Sequence, residues 1–146
     1  MARLEIDGFD ALNAAFGRIR EIPPETTTRA LSEMAEVAKV KIKAQGEAMG
    51  VRDPDSQVHI LDKITTTEPK LTGSGGYADV TFSGSRQRGN TKTRNAEIAF
   101  LNEYGVESHG QDARPFIGTA MTKNEQTIAE AGAEEIVDWF EKDFMK

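Results

Sequence analysis

Residues 98–120, I-A-F-L-N-E-Y-G-V-E-S-H-G-Q-D-A-R-P-F-I-G-T-A, take the chain through two sharp corners separated by one polar loop. Ile98 and Phe100 alternate with Ala99 and Leu101, which predicts the end of a strand. Glu103-Tyr104-Gly105 stops it. A polar loop containing Gly110 follows, and Arg114-Pro115-Phe116 opens a long helix. Proline suits a first helical position, because the N–H it lacks would have no partner there. Arg114 is expected to pair with Glu103 across the base of the loop, while Phe116 and Tyr104 fill the core. On that reading the two corners clamp one bend, and function follows from the surface that the bend positions.

The rest of the chain is arranged around this bend. Phe9, Leu12, Phe16 and Ile19 recur at helical spacing and predict a helix over 9–22, facing either the core or a partner. Pro23-Pro24 ends it, because proline disfavours the α conformation in the residue before it. A second helix is expected from Pro24 or Glu25 to Met49, with Leu31, Met34, Ala35, Ala38, Ile42, Gln45 and Met49 in one stripe. Glu36 and Lys39 stand at pairing distance on it. Gly50 is the expected stop. Residues 51–56 read as a loop, with Asp53-Pro54-Asp55 as turn chemistry.

Val58, Ile60 and Ile64 predict a strand over 57–67, although Leu61-Asp62-Lys63-Ile64 also fits a helical turn. Residues 69–76, P-K-L-T-G-S-G-G, read as a flexible connector. Ala78, Val80 and Phe82 share a face of a strand over 77–83, and a third strand is expected over 95–101. An antiparallel hairpin with a long tip is the simplest link between them. Ile117, Met121, Ile128, Gly132, Ile136, Trp139 and Phe140 mark a final helix over 115–144. The pattern predicts an α+β fold in one domain over 1–146. An antiparallel sheet of about three or four strands would be packed by two long helices and a shorter N-terminal one.

The 146 residues, 38% hydrophobic and 29% charged, are enough for a real core and too apolar for a wholly disordered chain. No apolar run approaches the ~18 residues of a membrane span, so no membrane partner is expected. The N-terminal M-A-R-L-E-I-D-G-F-D has no hydrophobic signal core. With no cysteine, disulfides, thiolate catalysis and cysteine-ligated zinc are excluded. A net charge of −6 makes a poor general DNA binder, although it leaves room for a local basic surface.

Catalytic candidates are few. The histidines are His59, in the expected first strand, and His109 in the central loop. Glu107, His109 and Asp112 cluster in that loop, but a tight metal site wants three or four ligands on a rigid frame. Ser108 beside His109 is no triad, since adjacent side chains rarely aim at one another. Gly73-Ser74-Gly75-Gly76-Tyr77-Ala78 matches a dinucleotide pattern in letters only. A strand is expected after it, where a helix N-terminus would be needed to meet the pyrophosphate. The expectation is a protein that is not an enzyme and has no metal and no cofactor.

The segment 83–95 is the most distinctive charge feature. Arg86, Arg88, Lys92 and Arg94 occur there with no acid among them. They could contact passing nucleic acid or dock on an acidic protein surface; otherwise they form a solvated hairpin tip. No aromatic is interleaved, so base stacking is unsupported. From residue 123 onward seven acids stand against three lysines, which makes the last helix the natural acidic surface. A small nucleic-acid-binding module using 83–95 is the alternative reading of function.

Glu-aromatic-Gly, a short loop and then Arg-Pro-Phe-apolar-x-x-Ala resembles the signature of the tail-component family of tailed bacteriophages. These are small neck proteins of head–tail joining and tail completion. The matching residues are Glu103, Tyr104, Gly105, Arg114, Pro115, Phe116, Ile117 and Ala120. The order of helices, β region and final helix is similar too. The resemblance implies a structural virion protein at the head–tail junction or tail, made in the host cytoplasm during assembly. Its implied partners are other copies of itself in a ring, and connector, tail terminator or tail tube proteins.

Overall fold

The computed structural model describes residues 22–51, 59–73 and 75–144, together with Gly17. The helix expected over 9–22, apart from Gly17 and Ile22, lies outside the described residues, as does the loop over 51–56 beyond Val51.

The central element is α1, Pro24–Ala48. Pro23 precedes it in an extended conformation and its carbonyl accepts from the Thr26 and Thr27 amides, so the double proline starts the helix. At the other end Gly50 stands at φ +64°, where its N–H donates to Glu47 and the Val51 N–H to Gly46. These paired bonds satisfy carbonyls that the last turn would leave open. The expected stop at Gly50 is therefore present. The Glu36–Lys39 pair is also present, at 3.6 Å on an exposed face.

The buried face of α1 is Thr26, Ala30, Ala35, Ala38, Ile42 and Gly46. Such small side chains let other helices come close. α2 is Asn95–Tyr104, α3 is Phe116–Lys123 and α4 is Glu125–Trp139. Phe116 lies against Gly46, Gly132 against Met34 and Ala30, and Glu135 bonds Arg29 at 3.2 Å. As the chain advances along α3 and α4 its partners run backwards along α1, so the pairs are antiparallel.

The strands are short and all pairings are antiparallel. β1, Ile64–Thr66, pairs with β4, Val80–Phe82; β2, Lys70–Thr72, with β3, Gly75–Tyr77; β5, Ser85–Arg88, with β6, Thr91–Arg94. The fold is α+β, with its strands in three two-stranded ribbons rather than one shared sheet. A 3₁₀ turn, Ile60–Lys63, precedes β1, which is the helical turn that Leu61-Asp62-Lys63-Ile64 allowed.

Four expectations are corrected. The connector over 69–76 is partly the β2–β3 ribbon. The tip over 83–95 is itself the β5–β6 hairpin, closed by Gly89 at φ +61°. The strand over 95–101 is helix α2, whose buried residues Asn95, Ile98, Ala99, Asn102 and Glu103 follow helical spacing. Three of those five are polar, so hydrophobicity alone hid the period. The helix over 115–144 is interrupted at Asn124, whose amide Nδ2 donates to the Ala120 carbonyl at 2.8 Å, and it ends in a π turn, Phe140–Phe144.

The core gathers Ile42 and Val51, then Ile60, Leu61, Ile64 and Phe82, with Ile98, Ala99, Phe116 and Ala120 from the bend. Phe116 is wholly buried and meets Phe82 edge-on at 6.1 Å. Among the described residues no helix is long and apolar enough to cross a membrane.

Candidate functional site

The two corners meet, and Glu103 joins them. α2 carries its side chain to the start of α3, where it is buried to 9% exposure. Oε2 accepts the Ile117 N–H at 2.8 Å and Oε1 the Gly118 N–H at 2.9 Å. These amides stand in the first turn of α3, where no carbonyl of the helix can reach them. The carboxylate therefore caps a helix from 14 residues upstream, at the end where the helix dipole favours an anion. Gly118 leaves the room: a Cβ there would stand 3.1 Å from Oε1.

The backbone completes the brace. The Arg114 N–H donates to the Asn102 carbonyl at 2.6 Å. Gly105 has φ +75°, and a Cβ on it would lie 2.7 Å from both the Ala113 nitrogen and the Gln111 oxygen. Val106 and Gln111 exchange hydrogen bonds at 2.9 and 3.1 Å across the neck of the loop. A 3₁₀ turn, Glu107–His109, and Gly110 at φ +64° close its tip.

The clamp is thus present, with different atoms from those expected. Among the described residues Glu103 makes no ion pair with Arg114; its two oxygens instead accept the helix amides. Pro115 is not the first helical residue. It centres an inverse γ-turn at φ −75°, ψ 63°, with the Phe116 N–H on the Arg114 carbonyl at 2.7 Å. Phe116 fills the core as expected; Tyr104 does not, and is 68% exposed. Neighbouring helical residues point about 100° apart, so an inward Glu103 turns Tyr104 outward. Tyr104 lies against Phe100, ring centroids 4.7 Å apart and planes tilted by 48°. Phe100 and Leu101 border a groove of about 510 Å³ shared with Ala96, Glu97, Thr93 and Arg94.

The cations of 83–95 lie on the β5–β6 ribbon rather than a loose loop. Arg86 Nε donates to Asn95 Oδ1 at 3.0 Å, and the Asn95 amide donates to the Ser83 carbonyl at 2.7 Å. Arg94 pairs with Glu97 at 3.1 Å. These two hold the ribbon to α2. Lys92 is exposed and has no ion pair among the described residues. The side chain of Arg88 is outside the described set. By register Arg86 falls on one face of the ribbon and Lys92 and Arg94 on the other, so the cations do not make one patch.

Glu107, His109 and Asp112 are exposed, and the described residues contain no group of three or more such ligands placed to hold a metal. His59 sits at the start of the 3₁₀ turn, its Nδ1 accepting the Leu61 N–H at 3.1 Å. On α4, Glu135 and Asp138 are paired with Arg29 and Lys142, while Glu125, Glu130 and Glu134 are exposed without ion pairs among the described residues.

Sequence reasoning missed Asn95, Asn102 and Gly118. The available signal was the recurrence of polar residues seven and eight apart, at 95, 102 and 103, which only a helix puts on one face. Compared with family models, curated proteins and solved structures, the chain matches none.

Proposed function

We propose that this chain is a structural virion protein of the head–tail junction or tail completion. It works by assembling with copies of itself into a ring and docking on connector or tail proteins. The observation that carries the reading is the Glu103 bond to the Ile117 and Gly118 amides. It makes one unit of the two short blocks on which the phage resemblance rests, and gives their residues a shared task. A fixed bend suits a subunit that must present the same surface many times over. The exposed Phe100–Tyr104 pair beside that bend is a surface such a subunit would cover. The reading needs no catalytic step and no cofactor, and it puts the chain in the particle, after assembly in the host cytoplasm.

The alternative, a nucleic-acid-binding module, draws on the β5–β6 ribbon, where Arg86 and Arg94 are already engaged within the chain. Among the described side chains, contact with passing DNA would then fall largely on Lys92.

Deleting the gene from a phage or prophage that carries it tests the proposal. Filled heads and separate tails, joined again when the chain is supplied in trans, are expected. Normal particles without the chain would overturn it. Binding of the purified chain to DNA that falls steeply as salt rises would instead favour the nucleic-acid module.

A further inference from the structure

Two exposed surfaces of the chain differ in a complementary way. On α2, Phe100 and Tyr104 lie against each other with 60% and 68% of their surfaces exposed, beside a groove lined by Ala96 and Leu101 among others. The adjoining ribbon holds no acid between residues 83 and 96, and Lys92 on it has no ion pair among the described residues. On α4, Val137 is 52% exposed in a hollow with Ala133, Glu130 and Glu134. Neither carboxylate has an ion pair among the described residues. The first surface is an apolar step whose lining Arg94 and Glu97 neutralise each other at 3.1 Å, which leaves Lys92 as the uncompensated charge of the adjoining ribbon; the other is an apolar spot with an acidic edge.

We infer that the second surface of one copy covers the first surface of the next. Val137 packs on the Phe100–Leu101 groove, and Glu130 and Glu134 face Lys92. This names the contact for the ring reading above and rests on it. Because different patches meet, the contact is head-to-tail, which closes as a ring when the rotation allows and otherwise runs on as a filament. Charge at the edge sets register and excludes the reversed pairing, while the aromatics supply the buried area.

Sedimentation of the full chain over a range of concentrations tests the pairing. The wild-type chain should self-associate. Lys92→Glu and Glu134→Lys should each weaken association at least tenfold, with melting temperatures equal to that of the wild type at dilutions where it is monomeric, because both positions are exposed. An equimolar mixture of the two should recover it, since the reversed patch of one meets the reversed patch of the other and the unreversed patches still match. Phe100→Ser should abolish association and melt where the wild type does at dilutions that keep it monomeric. A mixture no better than its separate components overturns the proposal, as does a wild-type chain that is monomeric at every concentration. If the chain self-associates and all three variants leave that untouched, this contact falls while the ring reading stands. Normal particles without the chain would sink the ring reading itself.

Discussion

Glu103 and Tyr104 are neighbours with opposite tasks, and the geometry of α2 separates them. Glu103 gives both oxygens to the first turn of α3. A hydrogen bond to a charged group is worth about 1.5–3 kcal/mol, and the loss of a helix cap costs about 0.5–2 kcal/mol. Glu103→Ala should therefore lower unfolding stability by about 3 kcal/mol in a denaturant titration, and Glu103→Gln by about half of that, since one oxygen remains. Gly105 is the second residue on which the bend depends. An alanine there would be strained at φ +75° and would press on Ala113 and Gln111. Gly105→Ala should cost about 1–3 kcal/mol in the same titration. The motif letters gave the partnership of the corners but not its atoms. An acid and a base near one another read as an ion pair, whereas the groups in need were two amides, which no side-chain alphabet displays.

Among the elements, α1 sets how closely the others approach. Gly46 and Gly132 both lie in helices, where alanine would gain about 1 kcal/mol of propensity. At Gly132 a Cβ would meet the flexible end of Met34, 2.5 Å from its sulfur, whereas at Gly46 it would meet the buried side chains of Leu61 and Phe116. Methionine can move aside and a packed core cannot. Gly132→Ala should thus be near neutral in thermal unfolding, and Gly46→Ala should lose about 1–2 kcal/mol net. The β5–β6 ribbon is held to α2 by Asn95, which is 3% exposed and bonds both Arg86 and Ser83. Asn95→Ala should release it, read as faster proteolytic cutting within residues 85–94.

Long helices were legible in the sequence because proline, glycine and a sustained apolar stripe marked α1. α2 was not, since Ile98 and Phe100 imitate a strand while Asn95, Asn102 and Glu103 supply most of its inner face. Ribbons as short as β2–β3 leave no hydrophobic period to read. The close β2–β3 approach requires glycine at Gly76, where a Cβ would lie 2.8 Å from the Lys70 carbonyl oxygen.

At the scale of the whole molecule, stability and assembly are divided between the two sides of α2. The inner side, with Glu103, Asn102 and Ile98, secures the bend. The outer side, with Phe100 and Tyr104, faces water in the single chain. If the bend exists to present that outer side to another copy, the two properties must separate under mutation. Sedimentation velocity on the Phe100→Ser, Tyr104→Ser double variant, with its melting temperature recorded alongside, is the direct measurement. A monomer that melts where the wild-type oligomer's subunit does is the predicted result. A variant that sediments as the wild type does, or one that loses its fold together with its assembly, would contradict the account.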